Sequence, residues 1–456
     1  MGTGGIQMAN SKGFDRRAFL KGASMTALAG AVGAGSTAAT AAPKSAAGKA
    51  GTKLYDFDDV VNRVGSNCFK YDGQIAKFGA EYFDIGMGVA DMDFHVAPVI
   101  TDALKERATH ENWGYLAETN GLREAIVEWN KDRYNVDVDP DTVTMCSGVH
   151  NGLISTLNAV SRPGMKTIMN TPTYNGFYTD LRLSRTLVND SEMYVDDEGK
   201  YHVDWDDFEA RLTPDTGAFL LCNPQNPTGN CWSEDDLLRF GELCLKNNVV
   251  VLADEIHCDF VMEGQKYIPF ASLPDKDIVN NSLTYKSASK TFSIAGLKHA
   301  YFYSTNQTLL DRVRWMHRAD LNTMGVVGTE AALRGGRAWF DALLPYLDAN
   351  HDFAEAYISE RIPGVKYKKA QGTYLAWLDV SEPVKGMDCA ARAKKEGLKT
   401  AEHYFEKWLV ENARVQLNPG SNYGTGGVGY MRMNLGTSRA NIEAALRNIE
   451  AALKSA

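Results

Sequence analysis

The sequence predicts an α/β protein with a mainly parallel sheet, and three observations carry that prediction. From Ala97 onward, runs of helical period alternate with short apolar runs of strand length, the pattern of successive βα units. Two of the apolar runs end abruptly in polar strings: Cys222 leads into Asn-Pro-Gln-Asn-Pro-Thr-Gly at 223–229, and Ala253 into Asp-Glu-Ile-His at 254–257. Ligands of parallel sheets bind at the carboxyl ends of strands, which is where both strings fall. The third observation is Ser-Ala-Ser-Lys-Thr-Phe at 287–292, which sets Lys290 between two hydroxyl residues.

Taken in order, residues 1–42 read as a leader and 43–94 as a linker and N-terminal arm. Residues 95–328 read as a large domain and 329–456 as a smaller α/β domain. Helical spacing marks 100–108 and 122–134. Strand-like runs occupy 142–145, 166–170, 218–222 and 249–253. Helical patterns return over 308–361, strands over 365–379, and helices over 390–408 and 440–453.

The leader carries Arg16-Arg17 followed by Ala18-Phe19-Leu20-Lys21, then a mildly apolar Ala/Gly stretch and a small-residue site at Ala39-Thr40-Ala41. This is a twin-arginine signal, and it predicts export of a folded, cofactor-loaded protein to the periplasm with cleavage near Ala41. The stretch is too weakly hydrophobic for a membrane anchor, and no later run is long and apolar enough to span a bilayer. A length of 456 residues with 44% apolar and 23% charged residues describes an ordinary soluble protein. The net charge of −9 gives no reason to expect nucleic-acid binding. Seven cysteines show no CxxC and no metal-ligand spacing, so they read as structural, with no metal site.

The three strings together supply what pyridoxal 5'-phosphate requires. A strand-end carboxylate (Asp254) keeps a ring nitrogen protonated, a lysine (Lys290) forms a Schiff base, and hydroxyls with backbone N–H groups take a phosphate. Ser147-Gly148-Val149-His150 follows a strand-like run and precedes an apolar helical one, so Val149 and His150 can present N–H groups at a helix start; Ser287 and Ser289 add hydroxyls. Each group has a plainer alternative. Asp254 could cap a helix, Asn226 could merely form a turn, and His257 could be a structural histidine.

The chain resembles the fold-type I pyridoxal-phosphate enzymes of the aspartate aminotransferase superfamily, and within them the MalY/PatB cystathionine β-lyase-like group. The resemblance rests on Ala90-Asp91-Met92-Asp93-Phe94, Trp113-Gly114-Tyr115, Pro172-Thr173-Tyr174-Asn175-Gly176-Phe177, the three strings above, Gly372-Thr373-Tyr374-Leu375-Ala376-Trp377 and Met431-Arg432-Met433-Asn434, spread over residues 54 to 450. It implies the three-layer transferase fold. It also implies Tyr174 stacked on the cofactor ring, Asn226 and His257 near its phenolate oxygen, and Arg432 on the substrate α-carboxylate. Tyr115 would reach the phosphate from a neighbouring subunit, which implies a homodimer. Lys298 stands where many relatives in the superfamily have Arg, a difference that itself resembles the MalY group; departures from the group include Gly88 for a common Trp, and Asn230 and Ser293 in place of a basic residue and an Asn.

For the reaction, the resemblance favours C–S β-elimination, whereas export argues against a cytoplasmic substrate such as cystathionine. The reading preferred on that ground is an exported aminotransferase acting on an amino acid or a secreted amino-acid-derived metabolite, such as a siderophore side chain, with a keto-acid acceptor. A cysteine-conjugate β-lyase is the alternative, and a non-catalytic cofactor-binding regulator is the alternative of another class.

Overall fold

Apolar runs become strands here because alternate side chains can be buried on both faces of one sheet. The computed structural model describes residues 55–117 and 120–456. In it, β1 (Thr144–Cys146), β2 (Lys166–Thr171), β3 (Leu187–Glu192), β4 (Thr216–Cys222), β5 (Val250–Asp254), β6 (Ser282–Lys286) and β7 (Ala300–Tyr303) form a seven-stranded sheet of order β1-β7-β6-β5-β4-β2-β3. Only β7 runs antiparallel to its neighbours.

In β4, Ala218, Leu220 and Cys222 pack on one face with Leu153, Leu157 and Phe177, while Phe219 and Leu221 pack on the other with Leu237 and Phe240. Burying each large side chain of this kind contributes about 1.5–3 kcal/mol relative to exposure. Helices Val149–Val160, Gly176–Ser184 and Gln307–Met316 cover the first face; Trp205–Ala210 and Glu234–Lys246 cover the second. The result is a three-layer α/β architecture, and burial on both faces explains why the strands read as continuous apolar runs.

The strands expected for the large sheet are all present with ends shifted by a residue or two. The run at 142–145 begins later, at Thr144, because Pro140–Thr142 forms a 3-10 turn capped by Asp139. The helices expected at 100–108 and 122–134 are Pro98–Ala108 and Asn120–Tyr134. Two expectations are corrected. Residues 390–408 do not form one helix but parts of two, Cys389–Glu396 and Ala401–Ala413, because Gly397 adopts φ +70 and terminates the first. Over 365–379 only Leu375–Asp379 is a regular strand, with Lys366 making a single bridge to Asp379.

A second, three-stranded antiparallel sheet contains β8 (Leu375–Asp379), β9 (Asn418–Pro419) and β10 (Tyr430–Asn434), in the order β8-β10-β9. Its register sets Arg432 between Trp377 and Asn418. The large sheet lies within 95–328 and the small one within 329–456. The leader and its twin-arginine motif lie outside the described residues. All seven cysteines are free. Among the described residues no helix is long and apolar enough to cross a membrane, and no acidic, His or Cys cluster could hold a metal.

Candidate active site

Strands β1, β2, β4, β5 and β6 all deliver their carboxyl ends to one edge of the large sheet, and a cavity of about 680 Å³ opens there. Gly148, Val149, His150, Tyr174, Asn226, Asp254, His257, Ser287, Ser289, Lys290 and Arg432 all line it. Groups separated by nearly three hundred positions in sequence therefore share one concave site.

At one end, helix Val149–Val160 starts at the cavity wall. Its N-cap is Gly148, which supplies no capping side chain, and its first turn has no acidic residue. Uncapped N–H groups and the positive end of the helix dipole suit a phosphate. Ser289 presents a hydroxyl that takes no hydrogen bond from the described residues. Ser287 departs from expectation: its hydroxyl donates to the His299 carbonyl at 2.7 Å and accepts the Ser289 N–H at 3.0 Å. That hydroxyl is committed to capping helix Ala288–Thr291, so Ser287 lines the site but shapes it chiefly through the backbone.

In the middle, Asp254 is 4% exposed at the end of β5, and its carboxylate accepts the Ile256 N–H at 3.1 Å. Burial pushes its pKa up to about 7 despite that bond and the positive pull of His150. Such a carboxylate lacks a close cation, and a protonated pyridine nitrogen would be one. Tyr174 leans its ring toward His150, centroids 5.6 Å apart, and His150 Nε2 lies 3.3 Å from the Tyr174 hydroxyl. His150 Nδ1 contacts Asp180 Oδ2 at 2.7 Å. Burial lowers the His150 pKa, but the hydrogen bond and charge of Asp180 outweigh it, and the net shift is upward. His257 is buried with Nδ1 unpartnered; burial, then Lys290 and Arg432, hold it well below the usual imidazole range, hence neutral.

Lys290 Nζ donates to the Ala90 carbonyl at 2.7 Å. Burial lowers its pKa to about 8, with Arg432 pushing the same way and Asp91 and Asp254 opposing. A fraction of Lys290 is thereby neutral near pH 7, as a nucleophile and proton shuttle must be. Arg432 is 2% exposed, donates to Asn226 Oδ1 at 3.0 Å and to the Gly88 carbonyl at 2.8 Å, and leaves Nε unpartnered. It has no carboxylate partner among the described residues. A buried guanidinium held only by neutral acceptors is prepared for an incoming carboxylate.

The N-terminal arm closes this side. Asn434 Nδ2 donates to the carbonyls of Val89 (2.6 Å) and Asp91 (2.8 Å), and the Tyr374 hydroxyl donates to Ala90 at 3.1 Å. Ser293, an unexpected residue type here, donates to Asp91 Oδ1 at 3.0 Å and so fastens the same segment. Tyr115 is the exception among the expected residues. It is fully exposed, in a separate depression with Arg107 and Val326, and does not enter the cavity of its own chain. Phe69, His299, Asn418 and Asn422 line the cavity without any motif to announce them. Asn418 alone has a traceable signal, its pairing with Arg432 across the small sheet.

The donor set fits pyridoxal 5'-phosphate. An uncapped helix start lies at one end, a buried carboxylate short of a cation in the middle, and a lysine of lowered pKa beside it. That cofactor, once bound, supplies an electron sink for negative charge at the substrate Cα. The fold and this set of groups define a pyridoxal-phosphate enzyme of the transferase fold.

The chain belongs to the aminotransferase class I and II family, whose model matches residues 84–449. It is similar to cystathionine beta-lyase PatB of Bacillus subtilis (strain 168), at 36% identity over 83% of this chain and 95% of that one. It is also similar to protein MalY of Escherichia coli (strain K12), at 30% identity over 84% and 94%. The solved structure of a PLP-bound C–S lyase from Staphylococcus hominis matches with a TM-score of 0.78 and 30% identity, covering 88% of this chain and 99% of that one.

Proposed function

We propose that the protein is a C–S β-lyase that cleaves the Cβ–S bond of an S-substituted L-cysteine and takes up one water to give a thiol, pyruvate and ammonia. The observation that carries this reading is the likeness to a named cystathionine β-lyase along 95% of that chain. The site supports it: Arg432 takes the α-carboxylate, and Lys290 moves the Cα proton. Asp254 provides the buried negative charge that the cofactor ring requires. The expectation of an aminotransferase becomes the second reading, favoured by the match to the class I and II family model. A non-catalytic regulator fits less well, since Lys290, Asp254 and Arg432 meet in one cavity.

The discriminating experiment supplies L-cystathionine or an S-alkyl cysteine with no keto acid and follows pyruvate, ammonia and thiol together. Sustained release of all three in equal amounts is the lyase outcome. A single turnover per subunit that becomes sustained only when a keto acid is added would replace the lyase with transamination. The same proposal makes the enzyme a homodimer in which Tyr115 serves the neighbouring site; loss of cofactor affinity in Tyr115→Phe checks this. It also keeps export by the twin-arginine route. Arg16→Lys with Arg17→Lys is expected to leave active precursor in the cytoplasm, and wild-type activity found wholly there at full precursor mass would refute export.

A further inference from the structure

His299 immediately precedes β7, and its imidazole is buried, 4% exposed. It lines the same cavity as Ser147, Gly148, Ser289 and Lys298. Neither Nδ1 nor Nε2 has a hydrogen-bond partner. A neutral imidazole carries one N–H donor and one acceptor nitrogen, and buried polar groups are ordinarily paired because leaving them unpaired costs their full desolvation. Two idle ring nitrogens on a cavity wall therefore point to a ligand.

The backbone says which part of the ligand. Strand β7 pairs antiparallel with β1, with Ala300 opposite Cys146. One residue further, His299 comes opposite Ser147, the start of the turn into helix Val149–Val160. On its other side, the Ser287 hydroxyl grips the His299 carbonyl at 2.7 Å and ties it to the turn that carries Ser289. His299 thus stands between the two segments that present phosphate-type donors. Burial alone pushes its pKa down to about 4, with no neighbouring charge acting on it. A phosphate dianion would be the first such charge and would favour the protonated ring.

We propose that His299 is a phosphate ligand of the cofactor site, a side-chain donor added to the N–H groups of Val149 and His150 and to the Ser289 hydroxyl. This holds whichever reaction the enzyme catalyses. It contributes an aromatic nitrogen donor just before the strand that runs antiparallel to the rest of the sheet, opposite the start of the turn into the helix.

The test uses the full chain, stripped of cofactor, as wild type and as His299→Leu. Dissociation constants are measured by absorbance for pyridoxal 5'-phosphate and for pyridoxal, which has the same ring and no phosphate. The expected result is at least a tenfold loss of affinity for the phosphorylated form, with pyridoxal changed less than twofold. Equal losses for both, or no loss for the phosphorylated form, overturn the proposal. Should the leucine variant fail to fold, the wild type decides by histidine-ring NMR, with His299→Gln to assign the signal. The His299 resonance is expected to move and saturate as inorganic phosphate is added to the stripped protein. A signal that stays still at phosphate concentrations that displace the cofactor overturns it.

Discussion

Arg432 Nη1 donates to Asn226 Oδ1 at 3.0 Å, joining the central strand of the small sheet to the turn that follows β4 of the large one. The residue proposed to grip a substrate carboxylate thus rests on a residue expected to touch the cofactor. Its second anchor, the Gly88 carbonyl, belongs to the N-terminal arm. The position of the Arg432 guanidinium therefore draws on three parts of the chain.

Arg432→Lys is expected to raise KM for α-amino acid substrates by roughly 10- to 100-fold, about 1.4–3 kcal/mol, with a smaller change in kcat. An ammonium cannot hold Asn226, Gly88 and a carboxylate at once. Steady-state kinetics check this, and an unchanged KM would move the carboxylate site elsewhere.

Asp254→Ala is expected to retain some cofactor and lose about 10²–10³ in kcat, the usual cost of removing a preorganised electrostatic partner. A loss of less than fivefold would reduce Asp254 to the turn-former that its bond to the Ile256 N–H also makes it.

The cofactor-free protein should show opposite pH slopes from two groups. Asp254, raised by burial to about 7 from an ordinary value near 3.8, holds more protons folded than unfolded between those values, so stability falls as pH rises across that window. Lys290, lowered by burial to about 8 from 10.5, holds fewer protons folded, so stability rises between about 8 and 10.5. Denaturant titrations of the stripped protein and of Asp254→Asn measure the first effect. The asparagine variant is expected to lose the decline between about pH 4 and 7, and an unchanged slope would contradict the assignment to Asp254.

Asn434→Ala should destabilise the fold by about 1–2 kcal/mol, because it removes one donor each from the part-buried carbonyls of Val89 and Asp91, which keep the Asp91 N–H and Lys70 Nζ respectively. The shift in denaturant midpoint at constant m-value reads it. The same variant is expected to bind cofactor less tightly, since Ala90, between the two carbonyls, is the acceptor for Lys290 Nζ.

Much of the fold was legible because β4 and β5 are buried on both faces and so appear as unbroken apolar runs. Strand β7 was not, since its Ala-Tyr-Phe-Tyr stretch is only four residues long and the polar Ser304-Thr305-Asn306 that follows opens the next helix, and β3 sits at an edge with mixed residues. Gly397 split a helix that periodicity alone would join. Within the site, residues set by local strings, such as Asp254, Lys290 and the Gly148 turn, could be read directly. Asn434 and His299 could not, because their roles arise from pairing with segments far away in the chain. The Ser287 hydroxyl is hidden for a related reason: a helix cap and a phosphate donor look alike in sequence, and only the structure shows the bond it already makes to the His299 carbonyl.

The central claim is that the cavity at the strand ends is a pyridoxal-phosphate site built on Lys290. Its most direct measurement is borohydride reduction of the purified protein, digestion, and mapping of the pyridoxyl-phosphate group by mass spectrometry. The account predicts one such group per chain, on Lys290, with the visible absorbance and all turnover lost in Lys290→Ala. A reduced cofactor on any other lysine, or a Lys290→Ala protein that is still labelled and active, would contradict it.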